Sequence, residues 1–467
     1  MRNPLLILLP LTLIVGYAVF QYGGVTTPDW NFCLIALCIV AAFAWLAGPS
    51  ARLAPPPDRV FSLLLAWLVV YVALQLVPLP MYGLRVLSPA RAELLAAVIR
   101  IDPATTRAPV SVAPSLTLAH LLRLLAYILV FFLVREAGWR LRERPWRLAV
   151  PVICIGACEA GLGLAQYFGG AASATGTYVN HNHYAGLLEI ALPLAFMQTA
   201  VVLRRQHLDR SGSIPWALLV CLLIACSALI FLGLIYSFSR MGLLVAIASI
   251  AILTVLGVLG GAAAGRRRRA VAAAGLLAIS LFFIFLAVPN GLLDRFANAP
   301  SGDELTAGAR LQIWKETRHL IGAYPAFGSG LGTYVSAIQK YRVSSPLALV
   351  DFAHNDYLQL LAELGAAGFI PLAVCGILVF GRMLRRAATE SRTRRRLLAT
   401  ACAASLCAIA MHSLVDFNLY IPTNAMLVAW VAGIGSALEF PADEKSRGRK
   451  RFGNDWRRGG IRPPVEL

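Results

Sequence analysis

Residues 351–365 read DFAHNDYLQLLAELG, which sets a histidine, an asparagine and three acids just ahead of a long apolar run. His354 has the one side chain that takes and gives a proton near neutral pH, so it could orient or deprotonate an attacking hydroxyl. Asp351 is expected to cap a helix running through Glu363 to Gly365. That helix would put His354, Tyr357, Leu358 and Leu361 on one face, and Asp356, Leu360 and Glu363 on a neighbouring one. A plainer role for His354 is to cap the helix against a membrane. Two arginines are the next candidates: Arg240 in SFSRMG (237–242) and Arg310 in GARLQIWKE (308–316), four residues before Trp314. A guanidinium fork holds a phosphate or diphosphate, and it also anchors to lipid headgroups.

Three further clusters are polar. TGTYVNHNHYAG (175–186) offers Asn180, His181, Asn182 and His183, whose amides and imidazoles suit sugar hydroxyls or phosphates. Its His-x-His pair has no evident third metal ligand, and the bland alternative is polar capping of the next helix. YPAFGSGLGTY (324–334) has the glycines of a nucleotide loop, but no strand precedes them and the spacing is wrong. It is expected to be a flexible turn that lines the substrate. HSLVDFNLYIPTN (412–424) adds Asp416 and Asn418.

The elements that carry these clusters are apolar. The 467 residues are 58% hydrophobic and 14% charged, with mean hydropathy +0.70. Apolar runs recur at the ~20-residue length that crosses a hydrocarbon core. The expected fold class is therefore an all-α polytopic membrane protein of about 12 transmembrane helices. The spans fall at 4–21, 30–48, 60–80, 115–134, 148–168, 183–203, 215–236, 241–264, 270–289, 366–384, 397–415 and 423–439. The first, beginning at Pro4, is expected to be a retained helix and not a cleaved signal. SFSR joins spans seven and eight in a tight hairpin. Residues 1–439 form one transmembrane domain. Residues 81–114 are a first outward loop with a short surface helix, 290–365 a large outward loop between helices 9 and 10, and 440–467 a basic tail.

The formal net charge of +19 would point to nucleic acid in a soluble chain. Here it is sorted by side. With the N-terminus in the cytoplasm, 30 of the 42 Lys and Arg fall on the cytoplasmic face, including the runs at 266–269 and 392–396. This is the positive-inside pattern. It places both termini in the cytoplasm, puts the polar clusters on the outer face and removes the case for nucleic acid; the tail is free to touch anionic lipids. The nine cysteines all lie in expected spans and read as small packing residues.

Taken in order, the clusters resemble the O-antigen ligase/polymerase family of bacterial membrane proteins, from about residue 150 to 435. The residues carrying the resemblance are Thr175-Gly176-Thr177, Asn180, Asn182-His183, Ala185-Gly186, Ser239-Arg240, Gly242, Arg310, Trp314, Gly328, Gly330, Gly332, His354-Asn355-Asp356-Tyr357, Gln359, Glu363 and Asp416-Phe417-Asn418. His181 departs from it, since many relatives carry arginine there.

The resemblance implies a membrane glycosyltransferase fold in the bacterial inner (cytoplasmic) membrane, with the active site facing the periplasm. It implies transfer of a glycan from an undecaprenyl-diphosphate carrier to a glycan, lipid A-core or other hydroxyl acceptor, in lipopolysaccharide or polysaccharide biosynthesis, with no metal and no cofactor. His354 would be catalytic and Arg240 and Arg310 would bind diphosphate. Asn180, Asn182, His183, Trp314, Asn355, Asp356, Tyr357, Asp416 and Asn418 would line or support the substrate. Inversion by direct displacement is expected.

Two alternatives compete. A protein O-oligosaccharyltransferase would carry a further extramembrane C-terminal region. A transporter or flippase would need a polar path through the spans, and Glu159, Glu189, His120 and Arg123 are the only evident mid-span candidates.

Overall fold

The computed structural model describes residues 4–46, 53–206, 214–259, 307–343 and 349–441. The expected span at 270–289, the 266–269 arginine run, parts of the 290–365 loop and nearly all of the basic tail lie outside these residues. The described chain is mostly helical. Its main helices are α1 (Leu5–Phe20), α2 (Thr27–Leu46), α3 (Arg59–Leu74), α4 (Met81–Leu87), α5 (Pro89–Ile101), α6 (Pro114–Arg140), α7 (Val150–Phe168), α8 (His181–Gln206), α9 (Ile214–Tyr236), α10 (Arg240–Leu259), α11 (Ala307–Ala323), α12 (Asp356–Thr389), α13 (Thr393–His412) and α14 (Pro422–Ala437).

Among the described residues six helical stretches are long and apolar enough to cross a membrane, and α1, α3 and α10 supply shorter apolar ones. The protein is a multi-pass membrane protein. Its helices carry apolar side chains on outer faces as well as inner ones: Leu6, Leu9 and Leu13 of α1 are exposed, while Leu11, Val15 and Ala18 are buried. Hydrocarbon, unlike water, tolerates both.

The core is built around α13, whose sequence TRRRLLATACAASLCAIAMH is rich in Ala and mostly buried. It packs against α8, α10, α12 and α14, and α14 lies along α6. Small residues permit these close crossings. Gly433 lies against Val134 and the Phe131 carbonyl, and Gly156 against Ala191, with no room for a side chain. All nine cysteines are free.

The two ends of the bundle differ. At one end Arg135 donates to Ser436 Oγ (3.0 Å) and to the Pro55 carbonyl, and Arg382 pairs with Asp58 and Glu439. There, too, Arg395 donates to the carbonyls of Arg142, Leu438 and Phe440. The arginine-rich segments thus meet, tied largely by charge-assisted bonds to helix-end carbonyls. All the polar clusters described above gather at the opposite end.

Three elements depart from the sequence reading. Helix α3 stops at Leu74, short of residue 80, because Gln75 turns inward. Its Nε2 donates to the carbonyls of Phe327 (2.9 Å) and Glu363 (3.1 Å), and its Oε1 accepts from Leu331 N (3.0 Å). The 81–114 segment holds two helices, α4 and α5, with a small core of Leu84, Ala92, Leu95, Ala108 and Val110. A two-residue antiparallel pairing, Leu79–Pro80 with Arg107–Ala108, closes that segment.

Gly365 does not end its helix; it kinks it, at φ 57°. The next amides, Ala366 and Ala367, donate to the carbonyls of Pro325 (2.9 Å) and Ala326 (3.0 Å) instead of to their own helix. The first part of α12 therefore lies along the 324–334 loop, and the part after the kink supplies the span.

Candidate active site

The site forms where the start of α12 meets the α13–α14 connection. Asp356 N donates to the Ser413 carbonyl (2.9 Å), Leu419 N donates to Asp356 Oδ2 (3.1 Å), and Asn355 Nδ2 donates to the Leu414 carbonyl (2.8 Å). Asn355 Oδ1 accepts from Leu358 N (3.0 Å) and is the actual cap of α12. Asp351 is exposed and does not cap this helix. His354 therefore precedes the helix and does not share a face with Tyr357 and Leu361. Its backbone is left-handed (φ 48°), a conformation no helix continues through, and one that persists in a non-glycine residue only where surrounding contacts hold it.

That turn aims the His354 ring at Asp416. Nδ1 lies 3.2 Å from Asp416 Oδ1, and His183 Nε2 lies 3.8 Å from the same oxygen. The Phe417 ring stands edge-on to both imidazoles, with centroids at 4.9 and 4.4 Å, and stacks on Phe352 at 3.9 Å. Burial pushes the Asp416 carboxyl up, but the imidazoles of His183 and His354 outweigh it and hold the group well below the usual carboxylate range. Asp416 is thus a buried anion that orients His354.

Other clusters set the surroundings. Asn180 caps α8: Oδ1 accepts from Asn182 N (2.8 Å), and its carbonyl accepts from His183 N and Tyr184 N. Ser239 Oγ caps α10 by accepting from Gly242 N (3.1 Å) and donates to Asn182 Oδ1 (2.7 Å). Arg240, the first residue of α10, is thereby fixed beside Asn182. Trp314 Nε1 donates to the Ala353 carbonyl (3.0 Å), which ties α11, and with it Arg310, to the His354 segment.

A cavity of about 30 Å³ is lined by Asn182, Arg240, Met241, Arg310, His412, Val415 and Asp416. Arg310 Nε is buried there with no hydrogen-bond partner among the described residues. Two arginines, an amide and a carboxylate from separate parts of the sequence thus share one cavity, and His354 reaches it through Asp416. Such a cavity suits an anionic group.

The remaining expected residues are supports. Tyr357 donates to the Ala410 carbonyl (2.7 Å), and Asn424 Nδ2 donates to Asn418 Oδ1 and to the His183 carbonyl (3.0 Å each). Gly186 approaches Asn418 so closely that no side chain fits. His181 does not line the cavity.

The glycine segment 324–334 is not a loose turn. Glu363, fully buried, accepts from Gly332 N (2.6 Å), Tyr334 N (3.0 Å) and Tyr420 Oη (2.6 Å). Burial and the Glu363 carboxylate hold the Tyr420 phenol well above its usual value, so it serves as a donor. Glu159 anchors the other glycine-containing motif by accepting from Thr177 N (3.0 Å) and Oγ1 (2.8 Å).

Sequence reasoning did not select His412, which lines the cavity and bonds Glu189. The signals were available: the residue opens the HSLVDFN cluster, and Glu189 stood out as an acid within a span. Among the described residues no three His, Cys, Asp or Glu side chains are grouped to hold a metal ion.

No curated protein matches the chain. Residues 225–373, which include Arg240, Arg310 and His354, match the model of a protein family described as O-antigen ligase, and this match supports assigning the chain to the O-antigen ligase/polymerase family.

Proposed function

We propose that this protein transfers a glycan from an undecaprenyl-diphosphate carrier to an acceptor hydroxyl at the periplasmic face of the bacterial inner membrane. The observation that carries this reading is the Asp416 carboxylate, which lies 3.2 Å from His354 Nδ1 and also lines the cavity containing Arg240 and Arg310. One carboxylate thus links a candidate base to a candidate diphosphate site.

With Nδ1 held by Asp416, His354 Nε2 is the nitrogen that accepts the acceptor's proton. The acceptor oxygen bonds to the anomeric carbon, the bond from that carbon to the diphosphate oxygen breaks, and the electron pair leaves with the diphosphate. Asp416 stabilises the imidazolium. Arg240 and Arg310 meet the negative charge as it grows on the leaving group. At about 30 Å³ the cavity marks where phosphate oxygens meet the arginines, not the volume of the whole donor. Direct displacement inverts the anomeric centre. A covalent route needs a free carboxylate nucleophile; Glu363 is occupied by four donors, and Asp416 by His354 and Phe417 N (3.0 Å). The chemistry calls for no metal, since diphosphate is already a good leaving group.

The sidedness rests on the arginine-rich end. If that end is cytoplasmic, as the positive-inside rule directs, both termini are cytoplasmic and the cavity opens toward the periplasm. The exposed apolar helix faces then keep the polyprenyl chain in the bilayer. The acceptor decides between ligase and polymerase: a lipid A-core sugar in the first case, a growing glycan in the second. The test is reconstitution of the purified protein in nanodiscs with an undecaprenyl-diphosphate glycan and each acceptor. Product with one acceptor supports the reading, and no product with any acceptor, from folded protein, overturns it.

A further inference from the structure

We infer that His412 is a third diphosphate-binding group, donating a hydrogen bond from Nε2 to the leaving diphosphate, with Glu189 behind it as its counter-charge. This rests on the glycan-transfer reading above. His412 is the last residue of α13 and lines the same cavity as Arg240, Arg310 and Asn182. Its Nδ1 lies 2.9 and 3.1 Å from the two Glu189 oxygens, so Nε2 is the nitrogen left to face the cavity. Both side chains are essentially fully buried, at 1% and 0% exposure.

A buried imidazole–carboxylate pair is a poor way to hold helices together, because desolvation offsets most of its attraction and apolar side chains would pack as well. Its position gives it another use. Glu189 enters from α8, fixes the ring's orientation and serves as counter-charge to the imidazolium, the form in which Nε2 carries a proton to donate. The arrangement repeats that of His354 and Asp416, so two carboxylate-held imidazoles serve one site. His354 takes the proton of the attacking hydroxyl, and His412 faces the departing diphosphate. No bond to His412 forms or breaks. A donor fixed in a buried site stabilises the developing charge without reorganising as the bond breaks.

The test uses full-length protein in nanodiscs, with His412→Ala, His412→Gln and Glu189→Gln beside wild type. Single-turnover transfer, donor KM and inhibition by inorganic diphosphate are measured, and thermal unfolding checks the fold. The inference expects His412→Ala to lower the single-turnover rate about 100-fold, with donor KM within about threefold and inhibition by diphosphate at least tenfold weaker. His412→Gln, which keeps a donor, recovers part of both losses, and Glu189→Gln falls between it and wild type.

If His412→Ala does not fold, the two Gln variants decide. Wild-type rate and wild-type diphosphate inhibition in the folded variants overturn the inference while leaving the transfer reading intact. Absence of transfer by wild type, with diphosphate binding still weakened by His412→Ala, overturns the transfer reading and keeps His412 as an anion-binding residue.

Discussion

Replacing Asp416 by asparagine tests the link between base and cavity with little change of shape. The carboxylate is 1% exposed and accepts from Phe417 N (3.0 Å) as well as bonding His354 Nδ1 (3.2 Å). Both bonds fall on Oδ1, so asparagine can keep an oxygen there for the Phe417 amide and for Nδ1, but it carries no charge to stabilise the imidazolium. Losing one charge-assisted hydrogen bond accounts for about 1.5–3 kcal/mol, or about 10–150-fold.

The expected fall in single-turnover transfer is therefore about 10–150-fold, with donor KM nearly unchanged because the arginines remain. Thermal unfolding in nanodiscs checks that the fold survives. The carboxyl is held below its usual range when folded, so its contribution to stability is fully present above the unfolded carboxylate pKa and is lost as pH falls through the lower folded value. A variant that folds and transfers within threefold of wild type would refute the coupling of His354 to Asp416.

Arg240→Ala and Arg310→Ala should each reduce transfer about 100-fold or more while the protein still inserts, since each removes charge facing the leaving group; wild-type rates in both would remove the diphosphate site. Chelators should leave transfer unchanged, and restoration of a chelated enzyme by one specific metal would sink the metal-free mechanism. Gly328→Ala should destabilise the protein by about 1–3 kcal/mol, because its φ of 69° disfavours a side chain and a Cβ would meet the Glu363 carbonyl. Thermal unfolding reads that change, and an unchanged midpoint would mean the 324–334 segment does not dock as described.

Much of this was legible in the sequence, for physical reasons. Helices occupy most of the described parts of the expected spans, the end of the third being the main exception, because apolar length alone identifies them. The SFSR hairpin was legible because two serines and an arginine interrupt two apolar runs; α9 ends at Tyr236 and α10 begins at Arg240. Arg240, Arg310 and Asp416 stood out as polar groups among apolar ones, and they share a cavity.

What the sequence hid depends on tertiary contacts. His354 looked helical because its neighbours have helical spacing, but Asp416, 62 positions away, holds it in a left-handed turn. The glycines at 328, 330 and 332 looked flexible because nothing local restrains them; their restraint is Glu363, on another element. The inward turn of Gln75, which ends α3 early, has the same kind of cause. Glu189 and His412 sit 223 positions apart, so neither advertised the other.

The central claim is that His354 deprotonates the hydroxyl that attacks a polyprenyl-diphosphate glycan. Its most direct test is product formation by wild type and His354→Ala, in nanodiscs, with an undecaprenyl-diphosphate glycan and a panel of glycan and lipid A-core acceptors. The account predicts product from wild type with one acceptor class, and a loss of about 10³-fold or more in the variant. Equal product from both would contradict the assignment of the base and leave His354 a structural turn.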